Sequence, residues 1–381
     1  MDNEDGLTRR QILAAGGAGI GTASATAVGA EVLTDGCLRC TPEAIIQGIL
    51  DPCRKRDNIG ILDEFQTVPH RKHPENPVVS GSSIYSTQSY PPSVIRVNGT
   101  YFAIVKSYPA LVLFSSDDGI SWKEERVIVQ NDKSWRNKKV SSPLVRFDPN
   151  SDHYHLFFSA RSSNSWSIGH LSTDELTDKE VNVDSILYTS EEFRQEMGDE
   201  TVEKVVLSDV ICDDNRFVYY GTTKHSNGSW KVWIGFGEEW DDINPNKYIF
   251  DSSHNAVFGD IIQTPNVVKI AGKFFMSYTA GISSDVIGER QVYLAVGDSY
   301  DSFEPTKQIL VPYGTCGSWD ERRTYGSQWL KTQDGSYTNP EIVEGMIRLY
   351  YSGHDLGTNG IIGNMGKTGL VEYDIEYFEK Y

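Results

Sequence analysis

Pro92-Ser93-Val94-Ile95-Arg96-Val97-Asn98-Gly99-Thr100-Tyr101-Phe102-Ala103-Ile104 reads as a strand, a two-residue turn and a second strand. Asn-Gly between alternating apolar residues is the strongest short hairpin signal, because both turn residues must take positive φ. The proline is expected at the first residue of its strand, where a missing N–H does least harm. The phrase recurs. Pro143-Leu144-Val145-Arg146-Phe147 leads through a polar turn to Tyr154-His155-Leu156-Phe157-Phe158. Asp209-Val210-Ile211-Cys212 leads through residues 213–215 to Arg216-Phe217-Val218-Tyr219-Tyr220, without a proline. Pro265-Asn266-Val267-Val268-Lys269-Ile270 turns at Ala271-Gly272, and Pro340-Glu341-Ile342-Val343 turns at Glu344-Gly345.

Further strands follow most copies, at residues 111–114, 166–171, 230–236 and 291–296, each with a polar turn or an aromatic residue behind it. The unit is therefore four strands. The copies begin 51, 66, 56 and 75 residues apart, so the loops carry the variation. Five such units over about 300 residues predict an all-β chain folded as a five-bladed β-propeller of four-stranded antiparallel blades. A β-sandwich or two sandwiches is the alternative. Only residues 42–50 and 190–197 read as short helices.

Composition narrows the partners. The 381 residues include 53 acids and 35 bases, a net charge of −18. That excess opposes tracking of nucleic-acid phosphates and docking on anionic lipid. With 39% hydrophobic and 11% aromatic residues the chain is not expected to be disordered.

Thr8-Arg9-Arg10-Gln11-Ile12-Leu13 opens an uncharged, small-residue stretch over residues 11–30 that resembles a twin-arginine export signal, with Val28-Gly29-Ala30 as a cleavage site. The resemblance implies residues 1–30 as signal peptide, 31–75 as spacer and 76–381 as the propeller. It also implies the twin-arginine export machinery as a partner and an extracellular or cell-surface location. The five cysteines, Cys37, Cys40, Cys53, Cys212 and Cys316, show no disulfide framework. Cys37-x-x-Cys40 lacks a second ligand pair for zinc, so no metal and no cofactor is expected. The oligomeric state is not legible.

The opening phrase, with Ser116-Asp117-Asp118-Gly119-Ile120-Ser121-Trp122 behind it, resembles the five-bladed propeller glycoside hydrolases of families 43, 32 and 130 over residues 76–381. The resemblance implies carboxylates at the inner ends of first strands, one as base or nucleophile and one as general acid across a glycosidic bond. The family's acidic positions beside the proline hold Pro91, Ser142, Thr264 and Asn339 here, preceded by Tyr90, Ser141, Gln263 and Thr338. Only the third copy brings an acid, Asp209. The expected catalytic candidates are Asp209 with Asp260, Glu321 or Glu341 as partner. Gln263 and Asn339 are candidates for sugar hydroxyls, and Arg322 for a sugar carboxylate or sulfate. Tyr90, Trp135, Trp319 and Trp329 are expected at the funnel rim, whereas Trp122, Trp166 and Trp233 are expected to fill gaps between blades. The implied function is hydrolysis of glycosidic bonds in an extracellular or cell-surface polysaccharide. The alternative is a glycan-binding propeller that has lost the carboxylates.

Overall fold

The computed structural model describes residues 65–80, 92–163, 165–178, 183–213, 215–251, 253, 259, 261–281, 290–315, 318–321, 323–354 and 366–381. The expected signal peptide, the expected helix over residues 42–50, and Cys37, Cys40, Cys53 and Cys316 lie outside these residues. The chain from Phe65 to Tyr381 is one compact unit.

Two short strands, β1 (Gln66–Thr67) and β2 (Arg71–Lys72), open it. Three four-stranded antiparallel sheets follow. The first is β3 (Ser93–Val97), β4 (Thr100–Ser107), β5 (Ala110–Ser116) and β6 (Lys123–Val129). The second is β7 (Lys139–Asp148), β8 (His153–Arg161), β9 (Trp166–Thr173) and β10 (Val183–Thr189). Helix α1 (Ser190–Met197) falls where the sequence predicts it, closed by a capping box between Thr189 and Glu192. The third sheet is β11 (Val202–Asp213), β12 (Arg216–His225), β13 (Trp230–Gly237) and β14 (Asn244–Asp251).

The remaining strands form one ten-stranded sheet. It holds two groups joined by a single residue pair, Arg290 with Arg323. One group is β15 (Ile261–Ile270), β16 (Lys273–Gly281), β17 (Arg290–Ser299) and β18 (Ser302–Val311), with β1 alongside β18. The other is β19 (Arg323–Trp329), β20 (Ile342–Val343), β21 (Met346–His354) and β22 (Lys367–Asp374), with β2 as its outer strand. A short helix, α2 (Ile375–Glu379), ends the chain. β1 and β2 thus lie before residue 76, the boundary expected from sequence. Phe65 packs edge-on against Tyr293, and Val68 is fully buried.

The first strands of successive groups, β3, β7, β11, β15 and β19, contact one another in order, and β19 contacts β3. The cycle is closed by hydrogen bonds at equivalent positions. Ser93 Oγ accepts from the Val145 amide at 2.8 Å, and Asp209 Oδ2 from the Val267 amide at 2.7 Å. Asn266 Oδ1 accepts from the Trp329 amide at 2.9 Å, and Gln328 Oε1 from the Val94 amide at 2.7 Å. Each acceptor stands one residue before the amide that its own strand presents. Leu144 holds that position in β7 and has no acceptor. There Arg146 bridges instead, donating to the Val210 carbonyl at 3.4 Å and to Asp209.

The hairpins form as the sequence predicts. Asn98 and Gly99 take φ of 50° and 87°, Ala271 and Gly272 50° and 86°, Glu344 and Gly345 53° and 79°. A Cβ at these glycines would meet nothing, so positive φ alone explains them. The prolines differ from expectation. Pro143 and Pro265 lie inside β7 and β15, at one-residue bulges between Ser141 and Leu144 and between Gln263 and Asn266. A bulge releases one ladder hydrogen bond, so proline is tolerated there. β11 bulges between Leu207 and Asp209, and β19 between Tyr325 and Ser327. The fifth copy is therefore centred on Gly326 (φ 52°), and Pro340 is not its equivalent.

Candidate functional site

Each first strand starts at one end of the molecule and reaches its hairpin turn at the other. At the strand-start end a small cavity of about 20 Å³ is lined by Pro92, Ser142, Pro143, Leu207, Ser208, Thr264, Ser327 and Gln328. These residues come from the first strands β7, β11, β15 and β19 and, for Pro92, from the residue before β3. Four of the strands are bulged here, which turns Ser142, Ser208 and Thr264 out of the ladder and into the cavity. The described lining offers hydroxyls and an amide, and no carboxylate.

The cavity has a charged floor. Asp209 follows Ser208, yet its side chain is fully buried. Oδ1 accepts from Arg146 and from the Val210 amide at 2.9 Å. Oδ2 accepts from the Val267 amide and from Lys331 Nζ at 2.6 Å. Arg146 and Lys331 are buried as deeply. Burial, with help from Arg146, pulls the Lys331 ammonium down to about 7 against the pull of Asp209. Both oxygens are committed, so this carboxylate joins β7, β11, β15 and the chain after β19 and does not reach into the cavity.

Beneath the floor lies a loop that the repeat did not predict. β19 ends at Trp329, and the ladder resumes at Glu341, whose amide donates to the Leu330 carbonyl at 2.9 Å. Between them, residues 332–339 cross the turn end. The Ser336 carbonyl accepts from the Cys212 amide at 2.6 Å, and the Thr338 carbonyl from the Lys269 amide at 2.8 Å. Gln333 Oε1 accepts from the Phe147 amide at 3.0 Å. The ends of β11, β15 and β7 are thereby joined, and Tyr337 is buried against Trp240, ring centroids 5.3 Å apart. Among the described residues, this loop covers the turn end of the first strands.

This placement corrects several expectations. Glu341 and Asn339 stand at the turn end, away from the cavity. Glu341 pairs with Arg96 at 2.6 Å, and Asn339 Nδ2 donates to Asp334 at 2.9 Å. Both were misplaced because Pro340 was aligned with the bulge prolines. Trp329, expected at the rim, is fully buried. Trp319 stacks on Tyr351 at 5.6 Å, against the face of the last group. Its neighbour Asp320 is held by Lys72 at 2.6 Å and Tyr351 at 2.8 Å. Glu321 is buried two residues before β19, and Gln263 is half-buried in β15 beside Thr264, both at the strand-start end. Tyr90, Asp260 and Arg322 lie outside the described residues. Among the described residues, no group of three or more His, Cys, Asp or Glu side chains is placed to hold a metal.

Sequence reasoning missed a cluster of bases at this end. Lys139 begins β7, Arg161 ends β8 and Lys204 lies near the start of β11. All three approach Trp166. Trp166 was expected as a gap filler, as fully buried Trp233 is, but it remains half-exposed. No spacing signal connects residues so far apart in the chain.

With this geometry in hand, solved structures identify the fold. A thermostable family-43 glycoside hydrolase superposes with a TM-score of 0.56 at 14% identity, covering 77% of this chain and 91% of its own. The family-62 α-L-arabinofuranosidase catalytic domain of Coprinopsis cinerea gives 0.58 at 14%, covering 80% and 97%. The endo-arabinase of Bacteroides thetaiotaomicron gives 0.57 at 12%, covering 81% and 97%. The chain has the fold of the glycoside hydrolase propellers. No family model and no curated protein matches its sequence.

Proposed function

We propose that the protein is a five-bladed propeller that engages an extracellular or cell-surface polysaccharide at the strand-start cavity and hydrolyses its glycosidic bonds. The observation that carries this reading is the convergence of five bulged or proline-headed strand starts on one polar cavity, in a fold shared with glycoside hydrolases. Residues 332–339 cover the opposite end, which supports placing substrate at the strand-start end. Hydrolysis needs two carboxyl groups roughly 5–10 Å apart across the bond, one kept protonated. Asp209 is committed to the floor. Among the described residues the acid at the strand-start end is Glu321, and the remaining candidate, Asp260, precedes β15 in the sequence. We assign the catalytic pair to this set. Export through the twin-arginine route accompanies the reading and rests on Arg9-Arg10 and the uncharged stretch behind them.

One observation favours a second reading. The described cavity lining holds no carboxylate, as expected of a propeller that binds glycans without cleaving them. A glycan array run beside a reducing-end release assay separates the two. Hydrolysis predicts release that falls at least about 100-fold in Asp260→Asn or Glu321→Gln. Binding without release selects the second reading, and neither binding nor release rejects both.

A further inference from the structure

Three cations surround the Trp166 ring. Lys204 Nζ lies 4.4 Å from the centroid, the Arg161 guanidinium carbon 5.6 Å and Lys139 Nζ 5.8 Å. Lys204 Nζ is also 5.4 Å from the centroid of Trp230. The strand register places like charges opposite each other at this end. Lys139 pairs with Arg161, and Lys204 with Lys224. Directly opposed like charges destabilise a sheet. In a chain with 53 acids the arrangement is not forced by composition.

Among the described residues, neither Lys204 nor Arg161 forms an ion pair with a carboxylate. The indoles take that role. A ring face attracts a cation without consuming its hydrogen-bond donors, so the donors stay available and fixed in place. Burial and mutual repulsion act in the same direction on these side chains. Burial, Lys139, Lys224, Arg290 and Arg161 pull the Lys204 ammonium down to about 7. Lys106, buried nearby, is pulled down to about 6 by burial, Lys139 and Lys204. An entering anion would relieve this repulsion and meet several charged donors at once.

We propose that this cluster is a subsite for an anionic sugar unit, one carrying a carboxylate or a sulfate ester, at the edge of the strand-start cavity. The proposal rests on the reading of that cavity as a glycan site. Ser142 and Ser208, which line the cavity, stand three and four residues beyond Lys139 and Lys204 on the same strands. At roughly 3.3 Å per residue that is about 10–13 Å, a span that a short oligosaccharide bridges. The substrate class is then an acidic polysaccharide, with the uncharged part over the cavity and an acid group on Lys204 and Arg161.

Calorimetric titration of the full chain tests this with three probes. They are an oligogalacturonate for the carboxylate, a heparin oligosaccharide for the sulfate ester, and a neutral xylo-oligosaccharide. At least one acidic probe is expected to bind more tightly than the neutral one and to weaken between about 50 and 300 mM salt. Lys204→Gln and Arg161→Gln are expected to weaken acidic probes about 10-fold or more, while Lys204→Arg retains them. Thermal melting of Lys204→Gln is expected to be no lower than the parent's, because a repelling charge is removed; a purely structural lysine would lower it. Two results overturn the subsite while the carbohydrate reading stands: neutral probes binding with acidic ones not bound, or acidic probes binding equally to both charge-removing variants. Binding of none of the three probes overturns both.

Discussion

Asp209 shows how a residue singled out by position can serve the fold. It stands at the acceptor position of the cycle that Ser93, Asn266 and Gln328 also occupy, and each of these receives the amide of the next first strand. Those three are neutral. Asp209 differs because two basic side chains donate to it: Arg146, which spans the gap at Leu144 by donating to the Val210 carbonyl as well, and Lys331 from the chain after β19. Removing one partner from a buried charge cluster leaves uncompensated charge in a low-dielectric interior, at a cost of about 3–5 kcal/mol. Asp209→Asn is therefore expected to lower the guanidinium unfolding free energy by about that amount. It is expected to regain part in Asp209→Asn with Lys331→Met, which removes one stranded cation. A variant of full stability with activity abolished would return Asp209 to the catalytic candidates.

The bulge and the inserted loop do different work. Bulges at Ser142-Pro143, Ser208, Thr264-Pro265 and Gly326 turn four strand starts toward the cavity. The loop over residues 332–339 covers the other end, and Tyr337 is its anchor. That side chain is buried against Trp240, and its hydroxyl donates to the Phe147 carbonyl at 3.2 Å. Truncating a buried aromatic costs about 3–5 kcal/mol. Tyr337→Ala is expected to show such a loss in chemical denaturation, with glycan affinity at the distant strand-start end changed less than about twofold. A loss of glycan binding in a folded Tyr337→Ala protein would place the ligand site at the turn end instead.

On the scale of the whole molecule, closure depends on residues before the repeats. β2 supplies the outer strand of the last group. Arg71 and Arg348 both pair with buried Glu372, at 2.6 and 3.2 Å. Val68 and Phe65 bury apolar surface beside β18 and β17, worth roughly 1.5–3 kcal/mol each. A chain starting at residue 76 is thus expected to melt on the order of 5–10 °C below one starting at residue 62. The proposed export, with processing of its signal, is held to the same limit. N-terminal sequencing of the exported protein is expected to find a start between residues 31 and 64, and a start beyond residue 72 would contradict the contribution of β1 and β2.

Local sequence determined the elements: strands from alternation, the Asn98-Gly99 and Gly272 and Gly345 turns from their need for positive φ, the short helix over residues 190–197, and the four-strand unit from its recurrence. These are short-range properties, so a reader of the chain can find them. The tertiary structure decided the rest. Bulges shift register by one residue without a fixed sequence mark, which is why Pro143 and Pro265 were read as strand heads and Pro340 as their equal. The insertion after Trp329 was hidden because its partners, Phe147, Cys212 and Lys269, are distant in the chain. The same distance hid the meeting of Lys139, Arg161 and Lys204 on Trp166. Charge balance counts side chains and carries no positions, so a chain of net charge −18 gave no sign that bases cluster at one end of its strands.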